Sequence, residues 1–161
     1  MRRSKDFFRL IRQNGKLRIQ AFEHAEASEI NERSAFMEEK FAAAAVRHYG
    51  DADTLAASER LDGAGHLIGF CAECAIKHAV ISLREDIDSL HGHFPDLINV
   101  AKRHLNQRLH HGLYTIIKSP VFMQGWEVGS RYSEDGTVTR QNYELWRGQA
   151  RSLMFAAKLR G

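Results

Sequence analysis

The sequence predicts an all-α protein: an up-and-down helical bundle of four to five main helices with a short N-terminal accessory helix. Three observations predict it. Residues 62 to 84, DGAGHLIGFCAECAIKHAVISLR, are apolar on nearly every side, and a helix hydrophobic all round belongs inside a bundle. Residues 34 to 60 have strong helix-forming composition, and residues 139 to 158 carry an apolar stripe of helical period. No segment alternates convincingly as a strand would, there is no internal repeat, and the 161 residues hold only two prolines. A chain of this length, read as one domain, buries roughly 70% of the surface its unfolded form exposes, so neither disulfide nor metal is needed to hold it.

Taken in order, Ser4 caps a short amphipathic helix whose Phe7, Phe8, Leu10 and Ile11 cluster on one side, ending near Gly15. Residues 16 to 31 allow a helix with Ile19, Ala21, Phe22 and Ala25 inside and Glu23, Glu26 and Glu29 outside. The stretch 1–33 is thus a basic arm with an accessory helix, and 34–161 is the bundle. Ser34, followed by Glu38 and FAAAAV, opens a helix running to about Arg60, with Gly50 a tolerated weak point. Asp62 is the N-cap of the central helix, which returns antiparallel across a very short turn as in an αα-hairpin. Within it Glu73 and Lys77 stand four apart, in the favourable order for an ion pair. A buried charge persists only when paired, so these two need partners from each other or from elsewhere.

The acidic stretch 85 to 93, EDIDSLHGH, is a loop. Pro95 fits the first turn of a third helix, 95 to about 110, with Leu97, Val100, Ala101 and Leu105 on its apolar side. After Gly112, LYTIIK makes one or two more turns and stops at Ser119-Pro120. Residues 121 to 136 form one long irregular connection carrying Trp126, Arg131 and Tyr132, and long loops in small domains are often functional. In the last helix Tyr143, Trp146, Ala150, Leu153, Met154 and Ala157 make the apolar stripe. Arg140, Arg147, Arg151 and Lys158 fall within about 20° of one line, a basic ridge that is a candidate nucleic-acid-binding face or else a solvated one.

The net charge of +3 hides an asymmetry. Residues 1 to 18 hold seven basic residues against Asp6 alone, a charge of +6, which leaves −3 for the rest of the chain. Such an arm suits nucleic acid or an acidic surface, and an equally good reading is a solvated helix end. The two cysteines, Cys71 and Cys74, are too few for a disulfide framework or a four-ligand zinc site and suit a reducing compartment, which points to the cytoplasm. Without a second ligand pair they read as small core residues. The central helix carries Glu73 and Lys77 in its middle, so no membrane span is expected.

Residues 47 to 80, RHYGDADTLAASERLDGAGHLIGFCAECAIKHAV, then HFPDL at 93 to 97, WEVGSRY at 126 to 132 and NYELWRGQARSL at 142 to 153 together resemble the HEPN superfamily (higher eukaryotes and prokaryotes nucleotide-binding). The core of the likeness is Gly69, Phe70, Glu73, Ala75 and Lys77, and it covers roughly residues 35 to 158. The resemblance implies a small all-α bundle that homodimerises, found in toxin-antitoxin and defence systems and often a ribonuclease that uses neither metal nor other cofactor. Other members are non-catalytic, or associate with a nucleotidyltransferase or antitoxin partner. The superfamily's ribonuclease signature is Arg, four to six residues, then His. An imidazole can move protons to and from the ribose hydroxyl or leaving oxygen while Arg steadies the phosphorane charge.

That spacing occurs at Arg18 and His24, Arg60 and His66, Arg84 and His91, and Arg103 and His110, so placement must choose among them. The first pair lies outside the resembling region, and the second and third straddle helix ends. Arg103 and His110, with His104 beside them, would share a face of the third helix and are the catalytic candidates, flanked by Arg108 and His111. Glu73, Lys77, Arg131 and Tyr132 are expected to form a polar cluster that fixes the long loop against the bundle. His91 and His93 near Asp86 and Asp88 could catch a metal, but a solvated loop is the simpler reading, and no metal site is assigned.

Overall fold

A computed structural model describes residues 40–84, 86–87 and 90–159 of the chain. Among these residues every regular element is a helix, as the periodicity predicts. In order they are α1 over residues 40–57, α2 Leu61–Leu83, α3 Asp96–His104, α4 His111–Lys118, a five-residue 3-10 turn Val128–Tyr132, and α5 Arg140–Ala156. The chain divides after Phe36, and everything below concerns the second unit. The readings of the basic arm 1–33, its accessory helix and the Ser34 cap lie outside the described residues.

Helix α1 is built on alanines, and Ala45, Ala52 and Ala56 are fully or nearly buried, which lets α1 and α2 run close together. Between them Glu59 takes the left-handed conformation at φ 58°, and the Arg60 N–H donates to Leu55 O at 2.9 Å. That closure ends α1 and turns the chain in three residues. The αα-hairpin is therefore present. Its cap is different: α2 starts at Leu61, and Asp62 lies inside the first turn without capping its own helix. The Asp62 carboxylate instead accepts the N–H groups of Gly136 (2.7 Å) and Val138 (2.8 Å), tethering the segment that leads into α5. These N–H donors hold its pKa below the usual carboxylate range.

Helix α2 is long and apolar enough to cross a membrane by length and composition, yet more than half of its most apolar window is buried within the bundle (56%). Among the helices that follow it, α2 packs chiefly on α5. Close approach there depends on Gly65, where a Cβ would come within 2.9 Å of Val138 and 3.1 Å of Trp146. Thr139 caps α5 by accepting the Asn142 N–H at 3.1 Å, matching the boundary read from sequence, and Tyr143, Trp146, Ala150, Leu153 and Met154 bury its apolar stripe.

The third helix departs from expectation. It ends at His104 rather than near 110, because Leu105 is extended and the Asn106 side chain accepts the N–H groups of Arg108 (2.9 Å) and Leu109 (3.2 Å). An Asn side chain that satisfies nearby backbone donors offers the chain a turn in place of another helical turn. Helix α4 follows at His111–Lys118 and stops before Pro120, as expected. The connection 119 to 127 is pinned to α5: Gln149 accepts the Met123 N–H (2.7 Å) and donates to Val121 O (2.9 Å), and Trp146 Nε1 donates to Gln124 O (2.9 Å).

Candidate active site

His66, Phe70 and Glu73 stand at offsets of four and three along α2, which sets them on one face. The Phe70 ring is the hub of that face. His66 meets it edge-on with centroids 4.5 Å apart; His48 of α1 lies at 6.0 Å and His93, from the loop before α3, at 6.2 Å. Trp126 closes the nest at 6.0 Å from Phe70 and stacks on His66 at 6.2 Å.

Trp126 is held by the backbone of α2 itself. Its Nε1 donates to Gly65 O at 2.8 Å, and its indole fills the space where a Cβ on Gly69 would go. Gly69 is the notch that admits the indole, and Gly65, one turn earlier, supplies the carbonyl that holds its N–H. The long connection is thereby fixed against the central helix by Trp126.

Glu73 is 2% exposed, and both of its oxygens are used. One accepts the Phe94 N–H at 2.8 Å and the other lies 2.7 Å from His93 Nδ1. An ionised carboxylate only accepts, so against it Nδ1 carries a proton and donates. Nε2, the other ring nitrogen, belongs to a side chain that is 49% exposed. His48 and His66 differ from it. Burial, aided by the positive charges of Arg47 and Arg131 respectively, lowers both pKa values, so both rings are neutral at pH 7. Their buried Nδ1 atoms have no hydrogen-bond partner.

The arrangement gathers three imidazoles, one steadied by a buried carboxylate, around an aromatic floor. Such a set can accept and donate protons. Among the described residues no group of three or more His, Cys, Asp or Glu is arranged to hold a metal ion. The cysteines are core residues, as read. Cys71 is fully buried with its Sγ 3.3 Å from Met154 Sδ, and burial pushes its thiol up to about 12; burial raises Cys74 as well.

The residues singled out from sequence are distributed differently. Arg103 is exposed at the last turn of α3, while His110 precedes α4 and its Nδ1 accepts the Asn106 N–H at 2.9 Å. The two therefore share no helix face, and His104 is half-buried at the end of α3, its carbonyl accepting from Arg84 at 3.1 Å. Of the four-residue polar cluster, Glu73 goes to His93, Lys77 lies over the Phe41 ring at 5.5 Å, and Arg131 stacks on Tyr132 at 4.7 Å. Among the described residues no hydrogen bond or ion pair joins Glu73 to Lys77, or either to Arg131 or Tyr132. Asp86 pairs with Arg84 at 2.7 Å, while His93 turns to Glu73.

In the basic ridge, Arg147 makes a two-pronged contact with Asp53 of α1 (2.6 and 2.8 Å), which also accepts from Tyr143 at 2.7 Å. Arg140 reaches Glu59 at 2.7 Å and the Ala56 carbonyl at 2.9 Å. These two cations join α5 to the α1 side of the bundle, and only Arg151 and Lys158 remain as exposed cations of the ridge without ion pairs among the described residues. The sequence reading gave no role to His48 and took His93 for a loop residue. The one signal it contained was the spacing of His66, Phe70 and Glu73 on a single helix face.

No family model matches the chain, and no curated protein and no solved structure matches it significantly.

Proposed function

We propose that this chain is a HEPN-like cytoplasmic protein of a toxin-antitoxin or defence system that binds RNA and cleaves it without a metal. The observation that carries the chemistry is the Glu73–His93 pair beside the neutral His66 and His48. In this reading the neutral imidazole of His66 or His48 takes the proton of a ribose 2′-hydroxyl. The oxygen attacks the adjacent phosphorus, and the 5′-oxygen leaves with a proton delivered from Nε2 of His93 as an imidazolium whose charge Glu73 balances, giving a 2′,3′-cyclic phosphate. His93, oriented through Nδ1, offers Nε2 for one of these transfers. Arg131, close enough to depress the His66 pKa, supplies positive charge for the phosphorane.

The test is incubation of the purified full chain with labelled RNA in EDTA. Cleavage to cyclic-phosphate ends, lost in His93→Ala and His66→Ala and kept in His110→Ala, is the expected result. An inert wild-type protein overturns the proposal.

A second reading rests on a separate observation. Leu145 and Phe155 of α5 are 51% and 85% exposed, and large apolar side chains left open on one helix suit a protein partner. Under this reading the chain is a non-catalytic homodimeric module that binds a nucleotidyltransferase or antitoxin. A strictly monomeric mass in light scattering, with wild-type RNA cleavage, removes it.

A further inference from the structure

Residues 97 to 126 contain no Asp or Glu, while Lys102, Arg103, Arg108 and Lys118 and three histidines lie among them. Elsewhere in the bundle Arg47, Arg60, Arg131 and Arg151 also lack ion pairs among the described residues, but they are interspersed with arginines that have them. Arg84, Arg140 and Arg147 each close on a carboxylate at 2.6 to 2.7 Å. Among the described residues none of the four cations between 97 and 126 has an ion pair. Arg103, Arg108 and Lys118 are exposed and Lys102 is half-buried, and cations left without ion pairs over thirty residues create a positive potential that attracts a polyanion.

The shape of this surface adds a second argument. At the corner between α3 and α4, Asn106, Gln107, Arg108 and His111 line an open groove of about 580 Å³. Its walls are two carboxamides, a guanidinium and an imidazole, all exposed, with no apolar side chain among them. Because the Asn106 oxygen is occupied by the Arg108 and Leu109 N–H groups, its amide is left as a donor. A groove that offers donors and positive charge is suited to phosphate oxygens, and Leu109, 80% exposed at the same corner, is a single apolar side chain where a membrane-insertion surface would need several.

The geometry points to a phosphate track: we infer that the α3–α4 corner holds the sugar-phosphate backbone of a single RNA strand whose reacting nucleotide sits at His93. This rests on the proposal that RNA is the substrate. The two sites flank α3, with His93 just before its first turn and the groove just after its last. Nine residues of helix separate them by about 13 Å, so a strand of several nucleotides reaches both. The track reassigns Arg103 from catalysis to binding.

The experiment separates holding from cutting by using single-stranded RNA methylated at every 2′-oxygen, which cannot be cleaved by 2′-hydroxyl attack. Fluorescence anisotropy over a salt series should show Arg103→Ala/Arg108→Ala binding about tenfold more weakly at low salt. The slope of log affinity against log salt should be shallower by about 1.4, the loss of two contacts on a single strand. Arg151→Ala/Lys158→Ala, on the ridge of α5, serves as the charge-matched control and should change neither as much. Equal affinity and slope for wild type and the α3–α4 variant overturn the track, as does arginine-dependent binding to phosphatidylserine vesicles without binding to RNA. Arginine-dependent binding of methylated RNA, with unmodified RNA left intact, sustains the track and removes the cleavage proposal. Cleavage of RNA that is indifferent to the α3–α4 variant does the reverse.

Discussion

Glu73 Oε2 lies 2.7 Å from His93 Nδ1 while its other oxygen takes the Phe94 N–H, so one buried carboxylate of the central helix holds two consecutive residues of a loop twenty positions away. Removing it leaves a backbone donor and an imidazole proton without an acceptor. Glu73→Ala is expected to cost about 2 kcal/mol, a fall in Tm on the order of 5 °C by circular dichroism. Glu73→Gln retains an acceptor for Phe94 and should cost about half as much. A Glu73→Ala protein as stable as wild type would mean that the loop does not depend on this pair.

The Trp126 notch makes a sharper demand. A methyl group on Gly69 would occupy the indole's place, so Gly69→Ala should expel the ring and destabilise the protein by about 3 kcal/mol. Trp126→Ala leaves a cavity and is costly alone, yet the double variant should be more stable than the sum of the two losses predicts. A red-shifted tryptophan emission in Gly69→Ala, read beside a urea titration of all four proteins, checks both points. Strictly additive losses would refute the notch.

His48 and His66 make stability depend on pH. Both folded pKa values lie below the unfolded value of about 6.5, so the unfolded chain binds more protons in the window beneath it. Their contribution is complete above about pH 6.5 and declines as the pH falls toward the folded values. Melting temperature should hold steady between about pH 8 and 7 and drop on going to about pH 5, and His66→Phe should flatten part of that drop. The carboxylates of Asp53 and Asp62, whose folded pKa values are depressed, begin to lose their contribution only as the pH falls through the usual carboxylate range toward those lower folded values.

Arg147 and Asp53 give a test of the ridge. The pair joins α5 to α1 but is about one-third exposed on either side, so solvent screening limits it. A double-mutant cycle of Asp53→Ala and Arg147→Ala should yield a coupling of about 1 kcal/mol that shrinks in high salt. A zero coupling would return Arg147 to the solvated ridge as first read.

Local chemistry made much of the bundle legible. The all-apolar face of α2, the alanines of α1, the start of α5 near Thr139 and the Pro120 stop are signals carried by neighbours in sequence, and each lies near its expected position. The end of α3 was missed because Asn106 competes with the helix through its own side chain, an effect that hydrophobic periodicity does not register. Asp62 looked like a cap because its residue type suits one, but its acceptor atoms are taken by Gly136 and Val138.

Two charges in an apolar helix require partners, and that much follows from residues 62 to 84 alone, since an unpaired buried charge is too costly to keep. Which partners they find depends on how distant segments meet. Lys77 reaches the surface beside Phe41, so it needs no carboxylate, whereas Glu73 is sealed in and is met by the loop that enters α3. The same packing brings His48, His66 and His93 to one phenylalanine from three separate stretches of chain. Sequence spacing carries helix faces because they repeat within a few residues. Only the closing of the bundle, with Trp126 seated against Gly69 and bonded to the Gly65 carbonyl, decides which imidazoles share a site.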